Sequence, residues 1–356
     1  YREISKTILR NILIAVLVSI FIILSKNFIL ILTNTFFSTS LETQELIKTY
    51  ISVRVLSVPA ELIIYVIVGF YLGIQRTNIS SLLIIILSAL NIIFSSFFVL
   101  SLDMNVFGVA LGTLLANYLT VILFSLFTYN FIIKKFQITP SFNRLIIPSK
   151  LLKLFTINFN IFLRTLVLTF SFLWFAYLGA RLGEDYLAVN TILMQFVILA
   201  AFFLDAYAYS TEGIIGYVIG KKNKNSFLHA VKNSIQLSFF TALIISIVYL
   251  IFFKSIINII SDIEILRFIS YKHAIWVFII PPVASFCYQL DGIFIGASQT
   301  KEMRNAMLLS VATFMVISIY LVKYYGNHGL WLSLVLFMIL RSITLRIFLN
   351  NILKKF

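Results

Sequence analysis

The chain has 356 residues, 61% of them hydrophobic and only 12% charged, with a mean hydropathy of +1.03. A water-exposed domain carries about a quarter of its residues as Asp, Glu, Lys and Arg, so the composition excludes a soluble protein and describes an integral membrane protein. The formal charge of +15 arises from 28 basic and 13 acidic residues, and the single cysteine, Cys287, excludes an internal disulfide.

A membrane-spanning helix needs about 20 mostly apolar residues. Ten stretches qualify in chain order: 8–32, 49–74, 79–101, 106–133, 152–180, 187–219, 228–260, 268–297, 303–325 and 328–350. They are too long and continuous for the alternating strands of a barrel, and none has the form of a removable signal peptide. The expected fold is therefore all-α, with the Gly, Pro and lone charges inside these runs tolerated by neighbouring helices.

The basic residues alternate between loops. One set holds Arg2, Lys6 and Arg10; Arg76; Lys134, Lys135, Arg144, Lys150 and Lys153; Lys221, Lys222, Lys224 and Lys232; Lys301 and Arg304; and Arg346, Lys354 and Lys355. The other has Lys26, Lys48, Arg181, Lys254, Arg267, Lys272 and Lys323, and it carries most of the loop acids. Eighteen against seven predicts that both termini and the 134–153 loop are cytoplasmic. No loop interleaves its basic residues with aromatics, so the charge reads as a topology signal and a nucleic-acid partner is not expected.

The sequence also repeats itself. Tyr50-Ile-Ser-Val-Arg-Val-Leu-Ser-Val-Pro59 matches Tyr271-Lys-His-Ala-Ile-Trp-Val-Phe-Ile-Ile-Pro281, Gly69-Phe-Tyr-Leu-Gly73 matches Gly292-Ile-Phe-Ile-Gly296, and Phe107-Gly108 onward matches His328-Gly329 onward. The offset stays between 221 and 223, and both copies run in the same direction. Parallel repeats imply a pseudo-two-fold axis along the membrane normal, as in secondary transporters. Because the second copy has six helices, the offset predicts that roughly 70 residues and two helices precede this chain. The expected organisation is the last four helices of an N-lobe over 1–139, a cytoplasmic linker over 140–150, and a six-helix C-lobe over 151–356.

Ionisable groups within spans are costly and mark functional candidates. Asp205 lies sixteen residues before Lys221 and twenty after Asp185, near mid-membrane, with Tyr209 and Glu212 at i+4 and i+7 on its face. Asp291 lies ten residues before Lys301, and Glu61, Arg164 and Arg341 are also at depth. A carboxylate there can exchange a proton or bind a cation, which makes Asp205, Asp291, Glu212, Tyr209, Glu61 and Arg164 candidates for cation coupling or substrate binding. The competing readings are structural: an inert Asp205–Arg164 pair, and a Glu212 that reaches the nearby lysines. Pro59 and Pro281 each remove one helix hydrogen bond and are hinge candidates. The glycine pairs Gly69/Gly73 and Gly292/Gly296 have the small-xxx-small spacing of close helix packing. His273 and His328 read as interfacial residues at helix ends. The sequence shows no metal-ligand cluster, nucleotide loop or nucleophile triad, so neither an enzyme nor an organic cofactor is expected.

Ala180-Arg-Leu-Gly-Glu-Asp-Tyr-Leu-Ala-Val-Asn190, with Leu204-Asp205-Ala-Tyr-Ala-Tyr209 and Glu212, resembles the seventh and eighth helices of MATE (multidrug and toxic compound extrusion) transporters, most closely the DinF-like branch. Leu290-Asp291-Gly-Ile-Phe-Ile-Gly-Ala297, Glu302-Met-Arg-Asn305, Gly326-Asn-His-Gly-Leu-Trp-Leu332 and Gly69-Phe-Tyr-Leu-Gly-Ile-Gln75 extend the resemblance along the chain. It implies two six-helix lobes around a central cleft, in a monomer of a bacterial-type inner membrane. It further implies export of cationic or amphipathic organic compounds against protons or sodium. By resemblance, Asp291 matches the acidic position of the tenth helix and Asp205 the DinF-type acid of the eighth. Glu61 has no counterpart in that pattern, and the family's first-helix carboxylate falls outside this chain. The alternatives are a flippase for lipid-linked saccharides, which would need a cationic cleft to hold pyrophosphate, and a non-transporting membrane fragment.

Overall fold

The computed structural model describes residues 2–36, 41–136 and 147–354. Pro140, Arg144, Lys355 and most of the expected linker lie outside them. The described residues form α1 (Arg2–Leu24), α2 (Lys26–Phe36), α3 (Leu41–Gly73), α4 (Thr77–Ser96) with a π-helical turn at Phe97–Ser101, and α5 (Asn105–Phe136). There follow α6 (Pro148–Leu182), α7 (Glu184–Gly220), α8 (Lys224–Ile260), α9 (Glu264–Gly296) and α10 (Thr300–Leu353). No strand occurs among the described residues. A helix closes all its hydrogen bonds within its own segment, which is what an apolar run in lipid requires.

Nine of these helices are long and apolar enough to cross a membrane, where the sequence predicts ten spans. The difference lies in α10, whose 54 residues hold the last two predicted spans. Gly326 interrupts it with φ +56° and ψ −134°, a backbone state that a side chain would strain. Residues 314 and 337 would be about 35 Å apart on a straight helix, yet the Phe314 and Phe337 rings lie 5.3 Å apart. The helix therefore folds back on itself at Gly326 as a hairpin, and the two predicted spans are its arms.

The chain divides into two compact units, Tyr1–Phe155 and Thr156–Phe356. In the first, α3 packs against α5 and α1, and α4 packs against α5. Ile64, Ile67, Phe70 and Tyr71 of α3 meet Leu83 of α4 and Phe124 and Ile132 of α5, and Tyr71 and Thr128 join hydroxyls at 3.1 Å. At one end, Glu3 pairs with Arg10 and with Lys150 at 2.7 Å.

The second unit is built around α9, which packs on α7, α8 and α10. The most apolar stretch of α9 is 61% buried, against 6% for α4, so α9 is a core helix where α4 is peripheral. Trp331 is fully buried and meets Phe175 edge-on at 5.1 Å. The glycine pairs behave differently in the two units. A Cβ on Gly292 would lie 2.5 Å from the Ala208 carbonyl oxygen, and one on Gly296 would lie 2.5 Å from that of Glu212. α9 thus meets the α7 backbone through its glycines, as small-xxx-small spacing predicts. Gly69 and Gly73, expected to do the same, have nothing within 4 Å. Equal spacing therefore does not guarantee equal packing, which needs a neighbouring backbone to receive the glycine face.

Candidate functional site

The charged residues of the second unit gather where α6, α7, α9 and α10 meet. Asp291, buried on α9, receives two arginines on the same oxygen. Arg341 Nη2 of α10 donates to Asp291 Oδ2 at 2.5 Å, and Arg164 Nη2 of α6 also donates to Oδ2. The Asp291 side chain is 9% exposed, Arg341 4% and Arg164 17%, so Arg164 is the more accessible partner. The Arg341 guanidinium also sits over the Phe337 ring, one turn back on its own helix, at 5.6 Å. Removing a carboxylate from water costs several kcal/mol, and only close opposite charges offset that. Two cations around one anion more than meet the need and leave the triad with a net positive charge. Asp291 Oδ1, Arg164 Nε and Arg341 Nε are buried without a hydrogen-bond partner, so the triad keeps polar atoms to spare.

Asp205 of α7 stands at the same level. Its neighbour Leu204 accepts a hydrogen bond from Gln289 Nε2 at 3.3 Å, and Ala208 lies against Gly292. Gln289 and Gly292 flank Asp291 on α9. Thr211 Oγ1 donates to Gln289 Oε1 at 2.9 Å, which fixes this register further. Asp205 interacts electrostatically with Arg164, Asp291 and Arg341, yet among the described residues no group pairs with its carboxylate or with that of Glu212. Both side chains are half-buried, and Tyr209 between them is exposed. The expected polar stripe is present on α7. The pairing differs from the structural alternative read from the sequence: Arg164 sits on Asp291, while Asp205 is left without a salt bridge. Glu212 likewise reaches no lysine.

Glu61 belongs to the first unit and is fully engaged. Arg54, two turns earlier on α3, pairs with its Oε1, Ser57 Oγ donates to that oxygen at 3.3 Å, and Asn117 Nδ2 of α5 donates to it at 3.1 Å. It works as a fastening between α3 and α5. Pro59, between Ser57 and Glu61, and Pro281 lie inside helices that continue through them.

Three groups escaped the sequence reading. Arg341 was visible as a charge at depth, but nothing local linked it to Asp291. Asn190 and Asn327 exchange hydrogen bonds in both directions, at 2.7 and 3.0 Å, and Trp331 Nε1 donates to Asn190 Oδ1 at 2.8 Å. His273 is buried and stacks on His328 at 4.2 Å, and Trp276 Nε1 donates to His328 Nδ1 at 3.0 Å. The motif Gly326-Asn-His-Gly was the available signal, since polar residues beside a turn glycine in a membrane chain need partners. A cavity of about 320 Å³ lined by Phe172, Phe175, Leu187, Asn190, Met194 and Gln195 includes none of the charged residues. No group of three metal-ligating side chains occurs among the described residues.

The MatE family pattern matches residues 160–322, which include Arg164, Asp205 and Asp291. The DNA damage-inducible protein F of Escherichia coli is 34% identical over 298 residues, covering 84% of this chain and 64% of that protein. The chain is similar to MATE family proteins over most of its length. DETOXIFICATION 43 of Arabidopsis thaliana, 24% identical, is matched over 83% of this chain and 55% of its own length. The chain thus spans less than two thirds of these relatives. An outward-facing multidrug resistance MATE transporter of the MOP superfamily superposes with a TM-score of 0.90 at 16% identity, covering 98% of this chain and 80% of that one. A MOP superfamily transporter from Pyrococcus furiosus, in which reverse polarity of the binding pocket suggests a different function, gives 0.87 at 17% identity over 99% and 83%. These likenesses establish the MATE fold.

Proposed function

We propose that this chain is the larger part of a MATE-type, cation-coupled antiporter. It exports organic, cationic or amphipathic compounds by alternating access between two lobes, with protons or sodium as the coupling ion. The observation that carries the reading is Asp205, a carboxylate midway along α7 without a salt bridge, beside an Asp291 that already holds two arginines. A coupling group must bind its ion in one conformation and release it in another, and an unpaired carboxylate is available to do so. The match to the MatE family pattern and the transporters among the structural relatives support the reading. The proposed setting is a bacterial-type inner membrane with both termini cytoplasmic and the protein a monomer, with lipid around it and small organic molecules as cargo. A pyrophosphate-holding flippase would call for cationic excess, whereas Arg164 and Arg341 are balanced by Asp291 and Asp205.

The test uses the complete protein in proteoliposomes, with an imposed pH or sodium gradient driving transport of ethidium. Asp205→Asn is expected to lower gradient-driven transport at least about tenfold while leaving the protein folded. Unchanged transport in that variant would remove Asp205 from the coupling step.

A further inference from the structure

The four charged side chains at the α6–α7–α9–α10 junction admit two pairings. In the structure, Asp291 holds both Arg164 and Arg341, a triad of net charge +1, while Asp205 on the next helix has no ion-pair partner. Moving one guanidinium from Asp291 to Asp205 would give two one-to-one pairs from the same groups. That exchange costs Asp291 little, because Arg341 remains on it at 2.5 Å.

Arg164 is the residue suited to move. Arg341 has a 4% exposed side chain and leans on Phe337, whereas Arg164 is 17% exposed and its Nε has no partner. The register of α7 on α9 puts both carboxylates at one level, since Gln289 and Gly292, either side of Asp291, touch Leu204 and Ala208, either side of Asp205. Around Asp205 the ionisable groups are Arg164 from α6, Asp291 and Tyr288 from α9, Arg341 from α10, and Tyr209 and Glu212 on its own helix. On the α8 side, Thr241 donates to the neighbouring Tyr207 hydroxyl at 2.9 Å and brings no charge.

We propose that Arg164 is an exchangeable internal cation: Asp291 holds it when a proton or sodium ion occupies Asp205, and Asp205 holds it when the site is empty. Arg164 and the coupling ion are then mutually exclusive partners of one carboxylate. Arg164 keeps its charge throughout, and only its position changes. An empty Asp205 is thereby compensated without an ion from solution, and loading it releases a cationic arm toward Asp291. The inference rests on the antiport reading and adds a positioning role for Arg164 that the reading does not require.

The test is the rate at which N,N′-dicyclohexylcarbodiimide, which attacks protonated carboxyls, modifies Asp205 in the complete protein at neutral pH, followed by peptide mass spectrometry. Arg164→Gln removes the competitor and is expected to raise the Asp205 rate at least about threefold. Asp291→Asn frees Arg164 for Asp205 and is expected to lower that rate by a similar factor, an effect that disappears in the Arg164→Gln background. Arg164→Lys keeps the charge and is expected to label like the wild type. If Arg164→Gln fails to fold, Asp291→Asn and Arg164→Lys decide alone. Unchanged rates, or changes of one sign in both Arg164→Gln and Asp291→Asn, would overturn the exchange. If Asp205→Asn abolishes coupled transport while labelling ignores Arg164, the exchange alone falls. If labelling responds but Asp205→Asn transports normally, the coupling reading falls instead.

Discussion

The proline helices α3 and α9 are repeats of one sequence pattern, yet they handle an acid at depth in opposite ways. Glu61 of α3 is met by Arg54 and Ser57 from its own helix and by Asn117 from the helix beside it. Asp291 of α9 is met by arginines from two other helices and lies within one residue of a glycine pressed onto a third. The first arrangement is mostly local, since Arg54 and Ser57 stay with Glu61 on one helix and only Asn117 depends on α5. The second exists only while α6, α7, α9 and α10 are assembled, so any shift among them changes the surroundings of the charge. A residue repeated in pattern is thus not repeated in role: what decides is how many independent elements hold it.

Three comparisons test that contrast, the last with the smallest expected loss. Gly296→Ala puts a methyl 2.5 Å from a backbone oxygen of α7, and an overpacked contact of this kind is expected to cost about 3 kcal/mol. Gly69→Ala meets nothing within 4 Å and should be neutral or add up to about 1 kcal/mol through the entropy of the unfolded chain. Thermal melting of the two variants of this 356-residue chain in detergent compares them directly, and equal losses would erase the difference drawn between the helices. Arg341→Met comes next. It strips a buried charge of one partner while Arg164 remains, for an expected loss of about 3 kcal/mol. The double variant Arg341→Met/Asp291→Asn should recover part of it, and no recovery in the same melting assay would mean that packing, rather than charge, carries the Arg341 contribution. Smallest is Glu61→Gln. It keeps an acceptor for Asn117, and Arg54 is partly exposed, so the expected loss is at most about 1 kcal/mol. A loss as large as that of Arg341→Met would show that the α3 network is no more local than the α9 one.

Much of the fold was legible because lipid imposes length and polarity on every span. The ten apolar runs reappear among the described residues as nine long helices, the last one bent double at Gly326, between the predicted runs 303–325 and 328–350. Packing partners were less legible. Gly69 and Gly73 carry the same spacing as Gly292 and Gly296, and only the presence of a facing backbone separates open from closed. At the site, Asp205 and Asp291 announce themselves as acids inside apolar runs. Their pairing does not, because Arg164 and Arg341 are 127 and 50 residues away from Asp291 in the chain, beyond any helical periodicity. Spacing along one helix told that Asp205, Tyr209 and Glu212 share a face; which cation stands opposite is settled by the neighbouring helices.

The tip of the α10 hairpin fastens more than itself. Asn327 is locked to Asn190 of α7 by a two-way amide exchange, and the next residue, His328, takes a hydrogen bond from Trp276 of α9. A paired amide of this type has one register. Sliding either helix by a single residue moves its partner about 1.5 Å along the axis, enough to break both bonds at once. The amide exchange therefore sets the register of α7 against the returning arm of α10. Arg341, two helical turns and more beyond Trp331 on that arm, and Asp205 on α7 accordingly take their levels on the two helices from one fastening at the hairpin tip.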